Sequence, residues 1–395
     1  MSDLYAQQLE ALRARSLDRH LREISSAQGS IVDLEGRRLI NFSSNDYLGL
    51  ANDPRLRVAA SKAIDEFGVG AGASRLLSGT QPPHVQLENA LAKWKGTAAA
   101  LCFSSGYAAA VGTIPALVGK SDIVLLDKLC HASLIDGAKL SGATLRVFPH
   151  NHLGKLKHLL EGSHRKNSGT RVLIITESVF SMDGDLTPLS EIVDLKKQFG
   201  AQLLLDEAHA VGVIGPNGRG LAAEKNLAAE IDAQMGTLSK AFGVSGGYIC
   251  GSRPLIGWLI NRARSFIFST APAPAIAAAA NAAVDLLASA EGEARRQKLW
   301  RNIDIFSQEL SIPCPSAIVP WIIGDEEVAL EAARKLQAQG FLVPAIRYPT
   351  VAKESARLRI TISAAHEDEQ LRSLTRALKK LPRKSETYGV REDAQ

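Results

Sequence analysis

Three residues whose side chains could act together lie between residues 203 and 247. Asp206 and His209 follow the short apolar run 203–205, and Lys240 follows a second strand-like piece at 233–237. A short apolar run closed by polar residues is typical of a buried parallel strand, and open α/β sheets bind their ligands at the carboxyl ends of such strands. We therefore expect an acid, an imidazole and a lysine at one edge of a sheet.

This combination of side chains suits pyridoxal 5'-phosphate (PLP). The lysine binds this cofactor covalently, an aspartate pairs with its pyridinium nitrogen, and a histidine can hydrogen-bond its ring oxygen. Each signal is weak when taken singly, because a lysine after a serine is usually a solvated surface residue and Asp-x-x-His is a common pattern. Their order, each behind an apolar run, favours a shared PLP site.

Two motifs carry a family resemblance, Asp-Glu-Ala-His at 206–209 and Gly-Thr-Leu-Ser-Lys-Ala-Phe-Gly at 236–243. They resemble the α-oxoamine synthases, PLP enzymes of fold type I (aspartate aminotransferase-like) that condense an amino acid with an acyl thioester. The resemblance extends over roughly residues 5–380. It implies an α/β fold, with a mostly parallel, doubly wound sheet in a large domain and a small C-terminal α+β domain.

The resemblance also assigns the cofactor site. Lys240, Asp206 and His131 are expected to be catalytic, with Lys240 as the general base and His131 stacked on the PLP ring. The residues expected to bind PLP are Gly106, Tyr107, His131, Ser181, Asp206, His209, Thr237, Lys240, Ser269 and Thr270. Gly106 and Tyr107 begin a predicted helix, whose free N–H groups and dipole suit a phosphate. Ala110 departs from the family pattern, since many relatives have Asn there.

Substrate contacts follow from the same resemblance. The expected substrate-binding residues are Arg19, Asn45, His131, Arg347 and Thr350. Arg347 and Asn45 would hold the amino-acid carboxylate, because a guanidinium binds a carboxylate with two hydrogen bonds. The N-terminal role assigned to Arg19 could instead fall on Arg22.

The segments 41–50, 74–80, 266–274 and 346–350 resemble most strongly the branch of the family that joins L-alanine to a pimeloyl thioester. Branches that use glycine or serine share every cofactor residue and remain alternatives. A non-catalytic subunit of the same fold would be expected to lack the lysine that stands at position 240. The sequence leaves open whether the acyl group arrives on coenzyme A or on an acyl carrier protein.

The elements that must position these residues can be predicted in outline. Strands at 122–127, 144–148 and 171–178 alternate with helices, such as the one at 190–199, and precede the strands that end near Asp206 and Lys240. The remaining predictions are a helix at 5–22, a hairpin at 30–41, strands at 246–251, 266–270, 318–323, 341–346 and 358–363, and a helix at 325–339. The predicted domains are 1–45 (helix and hairpin), 46–285 (PLP-binding), 286–384 (α+β) and a flexible tail at 385–395.

Composition excludes several classes of function. With 46% hydrophobic and 22% charged residues and a net charge of +5, the chain is typical of an ordinary soluble protein rather than a nucleic-acid-binding one. Four dispersed cysteines predict free thiols and no metal site, and the charged N-terminus predicts a cytoplasmic protein. The alanine-rich stretch 271–290 is expected to be a buried helix, not a membrane span. The glycine-rich segment 68–80 resembles a dimer-interface loop, so we expect a homodimer with active sites at the interface.

Overall fold

The computed structural model describes residues 2–15, 17–164 and 169–384, so the predicted tail at 385–395 lies outside the described residues. The chain divides into two compact units. The larger comprises Asn45–Arg301 with Ser363–Ala365, and the smaller comprises Met1–Ser44, Asn302–Ile362 and His366–Gln395. The larger unit thus extends past the boundary predicted at residue 286, and the N-terminal segment belongs to the same unit as most of the C-terminal residues.

Thirteen strands are formed by the described residues. They are β1 (Ile31–Leu34), β2 (Arg37–Asn41), β3 (Ala99–Phe103), β4 (Ile123–Asp127), β5 (Thr144–Phe148), β6 (Val172–Glu177), β7 (Gln202–Asp206), β8 (Ala233–Thr237), β9 (Gly247–Gly251), β10 (Ile318–Gly324), β11 (Phe341–Leu342), β12 (Ala345–Ile346) and β13 (Ala356–Thr361).

Fourteen α-helices are formed by the same residues. They are α1 (Ser2–Arg13), α2 (Pro54–Phe67), α3 (Pro82–Lys95), α4 (Gly106–Leu117), α5 (Ala132–Ser141), α6 (Leu153–His164), α7 (Leu189–Phe199), α8 (Leu221–Glu224), α9 (Arg253–Arg262), α10 (Arg264–Ile267), α11 (Pro274–Leu287), α12 (Ala290–Leu310), α13 (Glu326–Ala338) and α14 (Asp368–Leu378).

The larger unit is built on a seven-stranded sheet of order β3-β9-β8-β7-β6-β4-β5. Pairing is parallel throughout except at β9, which runs antiparallel to both β3 and β8. Strands β4, β8 and β9 are buried along their whole length. Both faces of such strands must be covered, which explains the continuous apolar run of β4. Strand β8 also buries the polar Gln234, whose side chain donates to the Ala228 carbonyl at 2.9 Å. The predicted mostly parallel α/β sheet is confirmed.

The core of the larger unit fixes the strand ends. Buried side chains of β3, β4, β6, β7 and β8 form one cluster with those of α4 and α5; its members include Leu101, Val124, Ile175, Leu204, Met235, Ala109, Ile114 and Leu134. Burying each large aliphatic side chain contributes about 1.5–3 kcal/mol. The polar residues that follow these strands are therefore held on a rigid frame.

The smaller unit contains two three-stranded sheets. In one, the predicted hairpin of β1 and β2 is confirmed, and β11 pairs parallel to β2. In the other, β13 lies between β10 and β12 with antiparallel pairing. Helix α13 begins where Asp325 accepts a hydrogen bond from the Val328 N–H at 2.9 Å, the usual role of an aspartate before a helix.

Three predicted elements were wrong. Residues 266–270 do not form a strand, because the backbone N–H groups of Phe266 and Ile267 donate to the Ala263 carbonyl and close the short helix α10. The predicted strand at 341–346 is broken between β11 and β12, which belong to different sheets. The N-terminal helix ends at Arg13 instead of continuing to residue 22.

The alanine-rich stretch forms helix α11, and nine of its fourteen residues are buried, as predicted. Small alanine side chains allow it to pack closely against α2 and α3. No helix within the described ranges is long and apolar enough to cross a membrane.

Candidate active site

The carboxyl ends of four neighbouring parallel strands carry polar residues. Asp127, Glu177, Asp206 and Thr237 are the last residues of β4, β6, β7 and β8, and all four are buried. Because these strands are parallel and adjacent, the four residues lie along one edge of the sheet. This is the edge at which open α/β sheets bind their ligands.

Asp206 lies at the centre of this edge. Its Oδ1 accepts a hydrogen bond from the Ala208 N–H at 2.9 Å, and its carbonyl accepts one from the Ser178 N–H at 2.8 Å. Burial raises the pKa of Asp206, whereas the nearby charge of Lys240 and then the hydrogen bond from the Ala208 N–H lower it. The predicted acid, lysine and stacking histidine therefore do lie close enough to interact.

His131 begins helix α5. Its Nδ1 accepts a hydrogen bond from the Ser133 N–H at 3.2 Å, and its own backbone N–H donates to the Glu177 carboxylate. Burial lowers its pKa, and the charge of Lys240 also opposes protonation. A neutral ring whose Nδ1 accepts a hydrogen bond carries its proton on Nε2. His131 can therefore donate a hydrogen bond from Nε2.

His209 is buried and is oriented by a tyrosine far away in the sequence. The Oη of Tyr47 lies 2.5 Å from His209 Nδ1, and the two rings meet edge to face at 6.1 Å. Tyr47 Oη also lies 3.4 Å from Oδ1 of Asn45, the asparagine predicted to contact substrate. The segment that begins the larger unit thus links a predicted cofactor residue to a predicted substrate residue.

A phosphate-sized anion can be received at the start of helix α4. Ser105 ends the preceding turn and its Oγ accepts a hydrogen bond from the Ala108 N–H at 3.0 Å. A side chain at Gly106 would lie 3.5 Å from Thr237 Oγ1, and one at Gly247 would collide with the Ser105 carbonyl at 2.5 Å. The absence of a side chain at Gly247 therefore lets β9 pack directly against the start of α4, whereas a methyl group at Gly106 would make only an ordinary van der Waals contact. The free N–H groups of such a helix start favour anions.

The other predicted cofactor residues have different surroundings. Ser181 is buried after β6, and Thr237 Oγ1 donates to the Gly246 carbonyl at 2.9 Å. Tyr107 is about half exposed and donates a hydrogen bond to Asp136 at 2.7 Å. Ser269 is partly buried, and Thr270 is exposed and forms a backbone bridge with Ser74. The last two therefore adjoin the glycine-rich segment 68–80.

The remaining predicted substrate residues belong to the smaller unit. Arg19 Nη2 donates to Thr350 Oγ1 at 3.4 Å, and Arg347 Nη2 donates to the Asp18 carbonyl at 3.5 Å. Both hydrogen bonds are long, so both guanidinium groups keep donors for another partner. Arg22, the alternative to Arg19, instead pairs with the Glu35 carboxylate at 3.0 and 3.3 Å. This pairing favours Arg19 over Arg22 as the residue that contacts substrate.

The residues of the larger unit fit PLP. Asp206 is a buried carboxylate with a raised pKa, and a pyridinium cation beside it would compensate for the cost of burying its charge. The start of α4 suits the phosphate, and Lys240 follows the neighbouring strand β8. No group of three or more metal-binding side chains occurs in the part of the chain that the structure describes.

Sequence reasoning missed two residues of this site. Tyr47 lies in a segment that the sequence analysis singled out, but its partner His209 is 162 residues away. Glu177 stands at the end of a predicted strand, so its place at the edge of the sheet could have been predicted. No local motif, however, indicates that its carboxyl group accepts a hydrogen bond from the backbone of His131.

Comparisons with known proteins agree with this geometry. Residues 37–378 match the family described as aminotransferase class I and II. The 8-amino-7-oxononanoate synthase of Geobacter sulfurreducens is 47% identical over 387 residues, covering 96% of this chain and 98% of that enzyme. The corresponding synthase of Geobacter metallireducens is 46% identical, covering 94% and 96%. A serine palmitoyltransferase from S. paucimobilis, solved with a PLP-myriocin aldimine, has a TM-score of 0.89 at 31% identity and covers 95% and 96%.

Proposed function

Because the chain belongs to the α-oxoamine synthases of the class I and II aminotransferase family, we propose that it condenses L-alanine with a pimeloyl thioester. The products are 8-amino-7-oxononanoate, CO2 and the free thiol, and the reaction is a step of biotin biosynthesis. The observation that carries this proposal is the 47% identity to an 8-amino-7-oxononanoate synthase over nearly the full length of both chains. The chain is a PLP-dependent acyltransferase of fold type I.

PLP is held by the residues gathered at the sheet edge. The start of α4, at Gly106, binds the phosphate with its free N–H groups, helped by Thr237 and, by resemblance, by Ser269 and Thr270. Lys240 binds the cofactor covalently, and Tyr107, His131 and Ser181 complete the ring contacts proposed from the resemblance. When bound, PLP draws electrons from the Cα of the amino acid joined to it, which makes the bonds at that atom labile.

Asp206 and His209 control protons on the ring. The Asp206 carboxylate stabilises a proton on the pyridinium nitrogen, because an adjacent negative charge favours the protonated form. His209, held by Tyr47 Oη at 2.5 Å, hydrogen-bonds the ring oxygen. Burial of both residues excludes water and strengthens these interactions.

Lys240 and His131 act on the substrates. The Nζ of Lys240 would act as the general base that removes the Cα proton of the amino acid. The Nε2–H of His131 donates to the acyl carbonyl and polarises it for attack. The lowered pKa of His131 keeps its ring neutral, so that it does not add a second cation beside Lys240.

Substrate carboxylates are bound by the remaining predicted residues. Asn45 contacts Tyr47 in the larger unit, and Arg347, Thr350 and Arg19 form a cluster within the smaller unit. L-Alanine and pimelate each carry a carboxylate, and arginine is suited to bind such groups bidentately. These roles rest on the family resemblance and on the unused donors of the two arginines.

A sister activity that uses serine is the second candidate. It is favoured by the similarity to the serine palmitoyltransferase, whose TM-score is 0.89. Sequence identity to that enzyme is 31%, against 47% to the Geobacter synthase, and the higher identity favours L-alanine. Both activities use the same cofactor residues.

The assembly and cellular setting are also proposals. We expect a homodimer in which Ser269 and Thr270 face the neighbouring active site, because their segment adjoins the glycine-rich loop 68–80. Four free thiols favour the reducing cytoplasm. The acyl group is carried on coenzyme A or on an acyl carrier protein.

The proposal is tested by titrating the purified holoenzyme with L-alanine, glycine and L-serine while its visible spectrum is recorded. Addition of pimeloyl-coenzyme A then measures release of the thiol. We expect the tightest spectral response and the fastest thiol release with L-alanine. Preference for serine or glycine would assign the chain to a sister branch, and the absence of any spectral response would exclude PLP chemistry on amino acids.

A further inference from the structure

His150 lies in the loop between β5 and α6 and has no role in the chemistry described above. Its Nδ1 lies 3.0 Å from Asp127 Oδ1 and its Nε2 lies 2.7 Å from Asp185 Oδ2. Ionised carboxylates only accept hydrogen bonds, so both ring nitrogens must donate. A histidine can donate from both ring nitrogens only when it is protonated. The contacts therefore describe an imidazolium held between two carboxylates.

On one side, this cation holds the loop that leads to His131. Asp127 ends β4, and its two carboxylate oxygens also accept from the Leu129 N–H at 2.9 Å and the Asn151 N–H at 2.8 Å. The Asp127 carbonyl accepts from the Cys130 N–H at 3.1 Å. The chain between β4 and His131 is thus fixed by one aspartate, whose charge His150 balances.

On the other side, His150 holds the turn that contains Ser181. The ring of Phe180 meets the His150 ring edge to face at 4.3 Å. Backbone hydrogen bonds from Phe180 N–H to the Asp185 carbonyl (3.0 Å) and from Gly184 N–H to the Phe180 carbonyl (2.8 Å) close the turn. His150 thus contacts both ends of the segment in which Ser181 lies.

The charge on His150 is stable under ordinary conditions. Burial lowers its pKa, but the hydrogen bonds and charges of Asp127 and Asp185 together raise it to about 10. Removing the cation would leave two partly buried carboxylates without their shared partner, which is strongly unfavourable. The two segments would then separate or rearrange.

We propose that His150 is a positioning residue of the PLP site, which holds the Ser181 turn against the loop that carries His131. This inference rests on the proposed roles of Ser181 and His131 toward PLP. His150 acts through its contacts with Asp127, Asp185 and Phe180.

A double-mutant cycle tests this inference on the holoenzyme. The rate of PLP loss on dilution is compared for wild type, His150→Ala, Ser181→Ala and the double variant. We expect each single substitution to speed PLP loss about tenfold and the double variant to be no faster than the faster single one, because residues that act through one contact are not additive. The inference would be overturned if the rate of PLP loss in the double variant increased by the product of the two single increases. It would also be overturned if either single variant lost PLP at the wild-type rate.

Two further variants keep the test decisive. His158→Ala removes an exposed histidine of the neighbouring helix α6 and should leave PLP loss unchanged. If His150→Ala does not fold, Asp185→Asn, which keeps the side-chain shape, replaces it in the same cycle with the same expected coupling. If the wild type retains PLP and forms the condensation product, but the effects of the two substitutions on PLP loss are additive, only the His150 role is rejected. If the wild type binds no PLP, the proposed function itself is rejected.

Discussion

Glu177 and Asp206 lie opposite each other, in register, at the carboxyl ends of β6 and β7. Both are buried. Burial and then the Asp206 charge raise the pKa of Glu177 to about 8, and burial raises that of Asp206 as well. Ionising both of two buried carboxyl groups this close together costs free energy, because their negative charges repel each other. Asp206, which the charge of Lys240 stabilises as an anion, takes the negative charge, and Glu177 keeps its proton while it accepts a hydrogen bond from the His131 N–H.

This relationship predicts how Glu177→Gln changes stability. The folded chain holds the Glu177 proton from the ordinary pKa of 4.5 up to about 8, whereas the unfolded chain loses it. The free energy of unfolding therefore falls as pH rises through this window, by about 1.4 kcal/mol per pH unit at most. Glutamine keeps the hydrogen bond to His131 without titrating, so the variant should lose this dependence in urea unfolding at pH 5, 6.5 and 8. An unchanged slope would contradict the prediction, and Glu191→Gln on the exposed face of α7 is the control.

His150 predicts a second pH window, which overlaps the first between pH 6.5 and 8 and extends to about pH 10. Its pKa rises from 6.5 to about 10 on folding, so its stabilising charge is fully present below pH 6.5 and is lost as pH rises through 10. Replacing His150 with Asn should reduce stability most below pH 7 and flatten the decline between pH 7 and 10. Thermal unfolding across this range measures the effect. A constant difference between the variant and wild type would show that the charge plays no part.

The hydrogen bond between Tyr47 and His209 predicts a loss of function in Tyr47→Phe. Without the hydroxyl, the buried His209 Nδ1 loses its hydrogen bond of 2.5 Å to Tyr47, and the orientation of the ring is less firmly fixed. We expect PLP binding and turnover to fall by about tenfold, as for the loss of one hydrogen bond of about 1.4 kcal/mol. The measurement is PLP affinity together with steady-state kinetics.

Tyr248→Phe is the matched control for this variant. Tyr248 is fully buried, and its hydroxyl has no hydrogen-bond partner among the residues that the structure describes. Removing an unsatisfied buried hydroxyl should increase the free energy of unfolding by about 1 kcal/mol and leave turnover intact. Equal losses of activity in both tyrosine variants would contradict a specific role for Tyr47.

Lys240→Ala should abolish covalent binding of PLP. Borohydride reduction of the wild type should fix PLP to one peptide, which mass spectrometry will identify as the one that contains Lys240. The exposed Lys225→Ala variant should be labelled like the wild type. Persistent labelling of the Lys240→Ala protein would show that another lysine binds the cofactor.

Much of this site could be predicted because many of its residues lie in short sequence motifs. Asp206 and Lys240 each follow an apolar strand within a short motif, and the parallel sheet then places them at one edge. Tyr47 was missed because its hydrogen bond to His209 spans 162 residues, a distance over which single-sequence patterns carry no signal. The strand predicted at 266–270 was wrong because the Ala263 carbonyl accepts hydrogen bonds from two backbone N–H groups and begins a helical turn.

The most direct test of the central claim is a competition experiment. The holoenzyme is supplied with equal concentrations of L-alanine, glycine and L-serine together with pimeloyl-coenzyme A, and the condensation products are identified by mass spectrometry. We expect 8-amino-7-oxononanoate to be the dominant product, formed with one CO2 and one free thiol per turnover. A dominant glycine or serine condensate, or no condensate with any of the three amino acids, would contradict this expectation.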